Sequence, residues 1–268
     1  MTASFQNPPG PIVKTLAQKA AWDRGFMQEL PANGSWLGFA SSTVPGEIWI
    51  AGLPPHGPFA LSATHPGVAA DLAANYSSDG PPGPGPTTIL LTDDEALTQA
   101  VDRVWKLAGS LPPTPLAAFE AATAALPRTT EAERIVIQRI GQDKFRDALM
   151  LYWNGACPLT GITDPALLRA SHIIPWAECA CDAERLDVTN GLLLSSLWDA
   201  AFDAHLVSFE DDGAVLASPR LSMTAASVLA ISSGPRVNGL SPGHRACLSS
   251  HRAKTLMQKI VGPEITDV

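Results

Sequence analysis

No stretch of about 18 uninterrupted apolar residues occurs anywhere in the 268-residue sequence, which argues against a membrane-spanning helix. The first residues, Met1-Thr2-Ala3-Ser4-Phe5-Gln6-Asn7-Pro8-Pro9, carry no charged-then-apolar export signal, so a cytoplasmic protein is expected. Cysteine is scarce. The four present (Cys157, Cys179, Cys181, Cys247) include no CxxC pair, which disfavours a zinc knuckle and points to free thiols rather than a disulfide frame. Positive charge is also in deficit, with 18 Lys and Arg against 26 Asp and Glu and a net charge of −8. Such a balance excludes a histone-like coat for polyanions but leaves room for a local basic face. The glycines of Ser77–Pro86 are interrupted by prolines and do not lie between a strand and a helix. They make no phosphate loop, and no nucleotide cofactor is expected. No internal repeat is present.

What remains is 46% hydrophobic residue, enough to give one large or two small domains a core. Of the 24 prolines, 17 lie in residues 1–130, so the two halves are built differently. The first half reads as a helix over Thr15–Leu30 and short β runs at Trp36–Ala40, Glu47–Ala51 and Phe59–Ser62. The Ser77–Pro86 segment reads as an exposed loop or linker, followed by a helix that Thr92 and Glu95 cap and by another from Thr114 to Pro127. The second half opens on a capping box at Thr130 and Glu133. Its long helix turns Ile137, Ile140, Phe145, Leu149 and Tyr152 inward until Asn154-Gly155 breaks it. The boundary is placed near residue 128, giving domains 1–128 and 129–268 of an α+β protein, the first a smaller mixed α/β domain.

Chemistry concentrates between Ala170 and Phe209. Ser171–Ile174 and Gly191–Leu194 are short apolar β runs, and Ser196–His205 is helical. Asp211-Asp212-Gly213 then turns a hairpin between Leu206–Phe209 and Ala214–Ala217. His172 ends one run, Asn190 precedes the next, and Asp199 and Asp203, four apart on a helix, face the same way. A phosphodiester is anionic and repels hydroxide, so its hydrolysis needs a base for water and a cation on the phosphate. The imidazole of His172 suits the first role. The carboxylates of Asp199 and Asp203 suit the second, as oxygen ligands for Mg²⁺, with Mn²⁺ or Ni²⁺ as alternatives. Asn190 would tie the runs together or offer an amide oxygen to the metal. His205 is open to two readings, a further ligand or a histidine that the helix C-terminus favours.

At these residues the chain resembles the HNH endonuclease family, in the branch with Arg139-Ile140-Gly141-Gln142-Asp143-Lys144-Phe145-Arg146 before Cys157-Pro158-Leu159-Thr160-Gly161. Ala170-Ser171-His172-Ile173-Ile174-Pro175-Trp176, Asn190-Gly191-Leu192-Leu193-Leu194, Phe202-Asp203 and His251-Arg252 extend the likeness over about residues 134–255. The resemblance implies a ββα-metal fold and a metal-dependent nuclease with His172 as general base and the metal on the helix. Two positions depart from it: Ser171 stands where many members have an Asp or His ligand, and Asp199 stands where the final His of the pattern is expected. A carboxylate-rich site is the reading that follows.

From Gly213 to Pro263 there is no Asp or Glu, while Arg220, Arg236, Arg245, Arg252, Lys254 and Lys259 all fall there. This tract is either a solvated surface or a grip for phosphates, as are Arg139 and Arg146 on the long helix. Residues 1–128 hold no nuclease, nucleotide or metal motif. By position they suggest DNA reading or assembly, hence a restriction-type enzyme on double-stranded DNA. A homodimer would give two sites for two strands. Trp36 and Trp49 are either core aromatics or a stack for a flipped base. The rivals are a catalytically weakened DNA-binding protein and an RNA-cutting toxin.

Overall fold

The computed structural model describes residues 5–77, 80–127 and 129–257, which divide into two compact units, 1–114 and 115–268. Residue 128, near which the sequence places the boundary, lies outside the described residues, and the segment just before it belongs to the second unit.

The first unit begins with α1 (Pro11–Trp22), which proline opens at its first turn. It ends where Gly25 takes φ +82° and the Phe26 N–H reaches back to the Ala21 carbonyl at 3.0 Å. The helix expected to continue to Leu30 therefore stops early, and Gln28–Asn33 instead forms the edge strand β1. With β2 (Trp36–Ala40), β3 (Glu47–Gly52), β4 (Phe59–Ala63) and β5 (Thr87–Leu91) it makes an antiparallel sheet in the order β1-β2-β3-β4-β5. Between the last two strands runs α2 (Pro66–Asn75), and α3 (Asp94–Ser110) follows them. Asp93, not Thr92, caps α3: its carboxylate accepts the Ala96 N–H at 2.9 Å.

Across β2 to β5 both faces of this sheet are largely buried, while β1 is mostly exposed. Register puts Ile48, Ile50, Leu61 and Ile89 on one face, all fully buried. On the other face Trp36, Trp49, Ala51 and Ala60 form a cluster with Phe5, Leu30 and Leu90 against it. Both indoles are less than a tenth exposed, which corrects the flipped-base alternative: neither ring offers a face to a nucleobase. The described part of the Ser77–Pro86 segment is no linker. It lies across the sheet, where the Gly85 N–H donates to Ser62 Oγ at 2.9 Å and a Cβ at Gly85 would collide with the Ala63 carbonyl.

The second unit starts with α4 (Thr114–Thr123) and α5 (Glu131–Tyr152). The expected capping box is present, Thr130 Oγ1 accepting from the Glu133 N–H and the Glu133 carboxylate accepting from the Thr130 N–H. Only the second half of α5 is a core element, through Gly141, Phe145, Ala148, Leu149 and Tyr152. Ile137 and Ile140, expected inward, are only half-buried, and Ile135 and Val136 are exposed. Next come β6 (Leu168–His172), the short α6 (Asp182–Arg185), β7 (Gly191–Ser195) and α7 (Ser196–Asp203). The hairpin β8 (Val207–Phe209) and β9 (Val215–Ala217), then α8 (Met223–Val228) and α9 (Pro242–Met257), complete it. All four cysteines are free. No described helix is long and apolar enough to cross a membrane.

Candidate active site

Strands β6 and β7 pair antiparallel with His172 opposite Gly191 and Ser171 opposite Leu192, and α7 leaves β7 without an intervening loop. This is a ββα unit. The i, i+4 spacing on α7 turns Asp199 and Asp203 toward the end of β6. The result is a cleft of about 330 Å³ lined by Ser171, His172, Asp199, Asp203, His205 and His251, together with Ala170, Ile173 and Pro175. Three residues singled out from the sequence thus meet in one place.

His172 is held on three sides. Its ring stacks on Phe145 with centroids 3.8 Å apart, the edge of Trp176 stands 5.7 Å away, and Nε2 lies 2.9 Å from the Arg185 carbonyl. A carbonyl only accepts, so Nε2 carries the proton and Nδ1 keeps the lone pair. Burial lowers the pKa of this histidine below the ordinary imidazole value, the Arg185 carbonyl opposing it in part. The ring is therefore neutral at neutral pH, the form a base requires.

Ser171, buried at the centre of the unit, donates its hydroxyl to Asp199 Oδ1 at 2.5 Å. One carboxylate oxygen of Asp199 is thereby fixed in direction. The carboxyl of Asp203 is pushed above the usual carboxylate range, by burial first and then by the charge of Asp199. Among the described residues no group of three or more His, Cys, Asp and Glu side chains is disposed to hold a metal. Two mutually repelling carboxylates nonetheless suit a hard divalent cation that keeps most of its shell as water and phosphate oxygen.

Asn190 serves the site from behind. It is buried, its Oδ1 accepts the Ile174 N–H at 2.8 Å, and its Nδ2 donates to the carbonyls of Ile174 (3.2 Å) and Glu184 (3.3 Å). The amide is a clamp across the long β6–β7 connection, and its oxygen is already engaged. The proposed phosphate contacts are scattered. Arg146 donates to the carbonyls of Leu168 (2.8 Å) and Pro165 (2.6 Å), which anchors α5 to the start of β6. Arg236 pairs with Asp212, Arg252 with Asp211 and Lys254 with Glu178. Arg139 and Arg245 are exposed, and Lys259 lies outside the described residues.

Two further imidazoles line the cleft. His251 is structural: Nδ1 meets Ser208 Oγ at 3.0 Å, Nε2 donates to the Phe202 carbonyl at 3.1 Å, and the ring stacks on Phe202. His205 lies just beyond α7, not within it, at φ +52°. Its ring centroid is 4.4 Å from that of His251, and its buried Nδ1 has no hydrogen-bond partner among the described residues. Burial lowers its pKa, and the charges of Lys254 and Arg220 add to the effect. A dipole argument from the sequence places this histidine on the helix but gives no hint of its left-handed backbone.

Residues 157–210 match the family described as HNH endonuclease, a span that contains β6, β7, α7 and β8. No curated protein sequence matches the chain. Residues 157–210 of the second unit are thus similar to an HNH endonuclease domain, and the ββα element they contain lines the cleft.

Proposed function

We propose that this protein is a metal-dependent endonuclease acting on double-stranded DNA in the cytoplasm, of restriction type, with the first domain reading or assembling and the second cutting. The observation that carries this reading is the meeting of a neutral, Nδ1-available imidazole with two carboxylates in one cleft of an HNH domain. In the reaction, His172 takes the proton of the attacking water on Nδ1 while the Arg185 carbonyl keeps the ring oriented. Asp199 and Asp203 would hold the divalent cation, which would supply charge neutralisation at the phosphate and the leaving oxygen. Ser171 fixes the direction of Asp199, and Asn190 keeps the β6–β7 connection closed behind His172. Arg139, Arg236, Arg245, Arg252 and Lys254 supply backbone contacts, and two copies of the chain would supply one site per strand.

The deciding experiment incubates the full chain with modified and unmodified plasmid and with RNA, in Mg²⁺, Mn²⁺ or Ni²⁺. Plasmid cleavage that His172→Ala removes while DNA binding survives supports the proposal. Intact plasmid under every metal, with DNA still bound, identifies a binding protein that keeps the ββα shape. RNA loss without DNA nicking identifies an RNA-cutting toxin.

A further inference from the structure

Several helices of this chain end in a left-handed residue, and they do not end alike. At α1 that residue is Gly25 (φ +82°) and at α5 it is Asn154 (φ +55°), the two residue types this conformation accepts at least cost. At α7 it is His205. The Leu206 N–H bonds the Ala201 carbonyl and the His205 N–H bonds the Phe202 carbonyl, both at 2.9 Å, the same closing pattern glycine normally completes. Ala230, after α8, shares the conformation but brings no polar group with it. His205 does bring one: its ring lines the cleft, and among the described residues its buried Nδ1 has no hydrogen-bond partner. The neighbouring His251, by contrast, spends both nitrogens on protein atoms. A backbone cost and an orphaned donor-acceptor at one residue are tolerated where a bound molecule makes use of the side chain.

The nature of that molecule follows from the surroundings. Arg220 donates to the carbonyl of Ala204, the residue before His205, at 3.0 Å, which sets a guanidinium beside this end of the cleft. The two carboxylates lie on α7 and, with His205, do not form a set disposed around a common ion. We infer that His205 is a substrate-contacting residue: its imidazole N–H donates to a non-bridging oxygen of the phosphodiester backbone seated in the cleft. The inference rests on the nuclease reading above and adds to it a residue that fixes the phosphate.

The left-handed backbone makes the test clean, because His205→Gly removes the side chain and relieves the conformation together, and His205→Asn keeps an N–H donor in a tolerated conformation. Melting temperature, DNA affinity without added metal, Mn²⁺ affinity by calorimetry, and cleavage rate are measured for the wild type and both variants. The expected result is a His205→Gly protein at least as stable as the wild type, with Mn²⁺ affinity unchanged, and DNA binding and cleavage weakened about 10- to 100-fold, the worth of a hydrogen bond to a charged group. His205→Asn should recover part of that loss. A glycine variant that binds and cuts like the wild type overturns the inference and leaves the nuclease intact. So does one that loses stability, or one whose Mn²⁺ affinity falls in step with its activity. A wild type that neither binds nor cuts nucleic acid overturns the nuclease reading, and this inference with it.

Discussion

The two units hold themselves together by different means. In the first, a five-stranded antiparallel sheet supplies the backbone pairing, and among the described residues the buried polar side chains are Ser62, Thr88 and Ser110. In the second, the sheets have two strands each, too small to stand alone, and the interior carries Ser171, Asn190, Ser208, His244 and His251. Those groups do work that strands do elsewhere: Asn190 ties the β6–β7 connection, and His251 pins α9 to α7 and β8. A fold stitched by imidazoles and amides can present polar chemistry at its surface. It also becomes sensitive to protons in a way an apolar core is not.

The sharpest way to probe this contrast is His172→Ala. Cleavage should fall about 100- to 10,000-fold, the range of general-base catalysis, while the unfolding of the first unit is unchanged. Its counterpart is Trp49→Ala, which hollows the indole cluster and should cost the first unit about 3–5 kcal/mol in denaturant unfolding, leaving the second unit's transition in place. If both transitions move together, the units are not independent and the comparison fails.

Acid should separate them next. His244 and His251 are both pushed down to about 4, chiefly by burial. Their stabilising effect is complete above the unfolded value near 6.5 and is lost as pH falls from there toward 4, because the unfolded chain takes up protons the folded one refuses. Between pH 7 and 5 the second unit should lose about 2 kcal/mol for each of the two, seen as a fall in its melting temperature. In the first unit His65 is lowered in the same direction, but it is only half-buried and should shift its unit's transition less. Equal acid sensitivity of the two units would remove the distinction. The smallest effect is expected from Asn190→Ala, which leaves the buried Ile174 N–H unpaired and should cost about 1–3 kcal/mol, with a matching loss of cleavage as the loop behind His172 loosens.

Much of this was legible in the sequence wherever local chemistry decides the outcome. Strands β2 to β4 are apolar runs bounded by Pro and Gly, α5 announces itself by Thr130 and Glu133, and Asp211–Gly213 marks the β8–β9 turn. The site was legible through the order of its motifs. What the sequence hides is set by partners. β1 is polar, contains Pro31, and is a strand because β2 pairs with it. The Pro-Gly segment is the exposed loop its composition suggests, but its contact with Ser62 on the sheet beneath is not legible from the sequence. Arg146 looks like a phosphate-binding group, yet its hydrogen bonds go to the carbonyls of Leu168 and Pro165, whereas Asn190 ties the β6–β7 connection, the first of the two roles its position suggests. His205 is conspicuous only once the φ angle after α7 is seen.

The basic tract that follows the cleft has a consequence for how nucleic acid would arrive. Arg236, Arg252 and Lys254 already rest on Asp212, Asp211 and Glu178 at 2.7, 2.8 and 3.0 Å. Each aspartate or glutamate acts as a tethered counterion, and an incoming strand must evict it rather than a freely diffusing salt ion. Eviction of a tethered anion releases nothing to bulk solution, so the logarithmic salt slope of binding should be shallower than the number of cations implies. A surface of that kind would hold nucleic acid of any sequence loosely and leave discrimination to contacts made elsewhere.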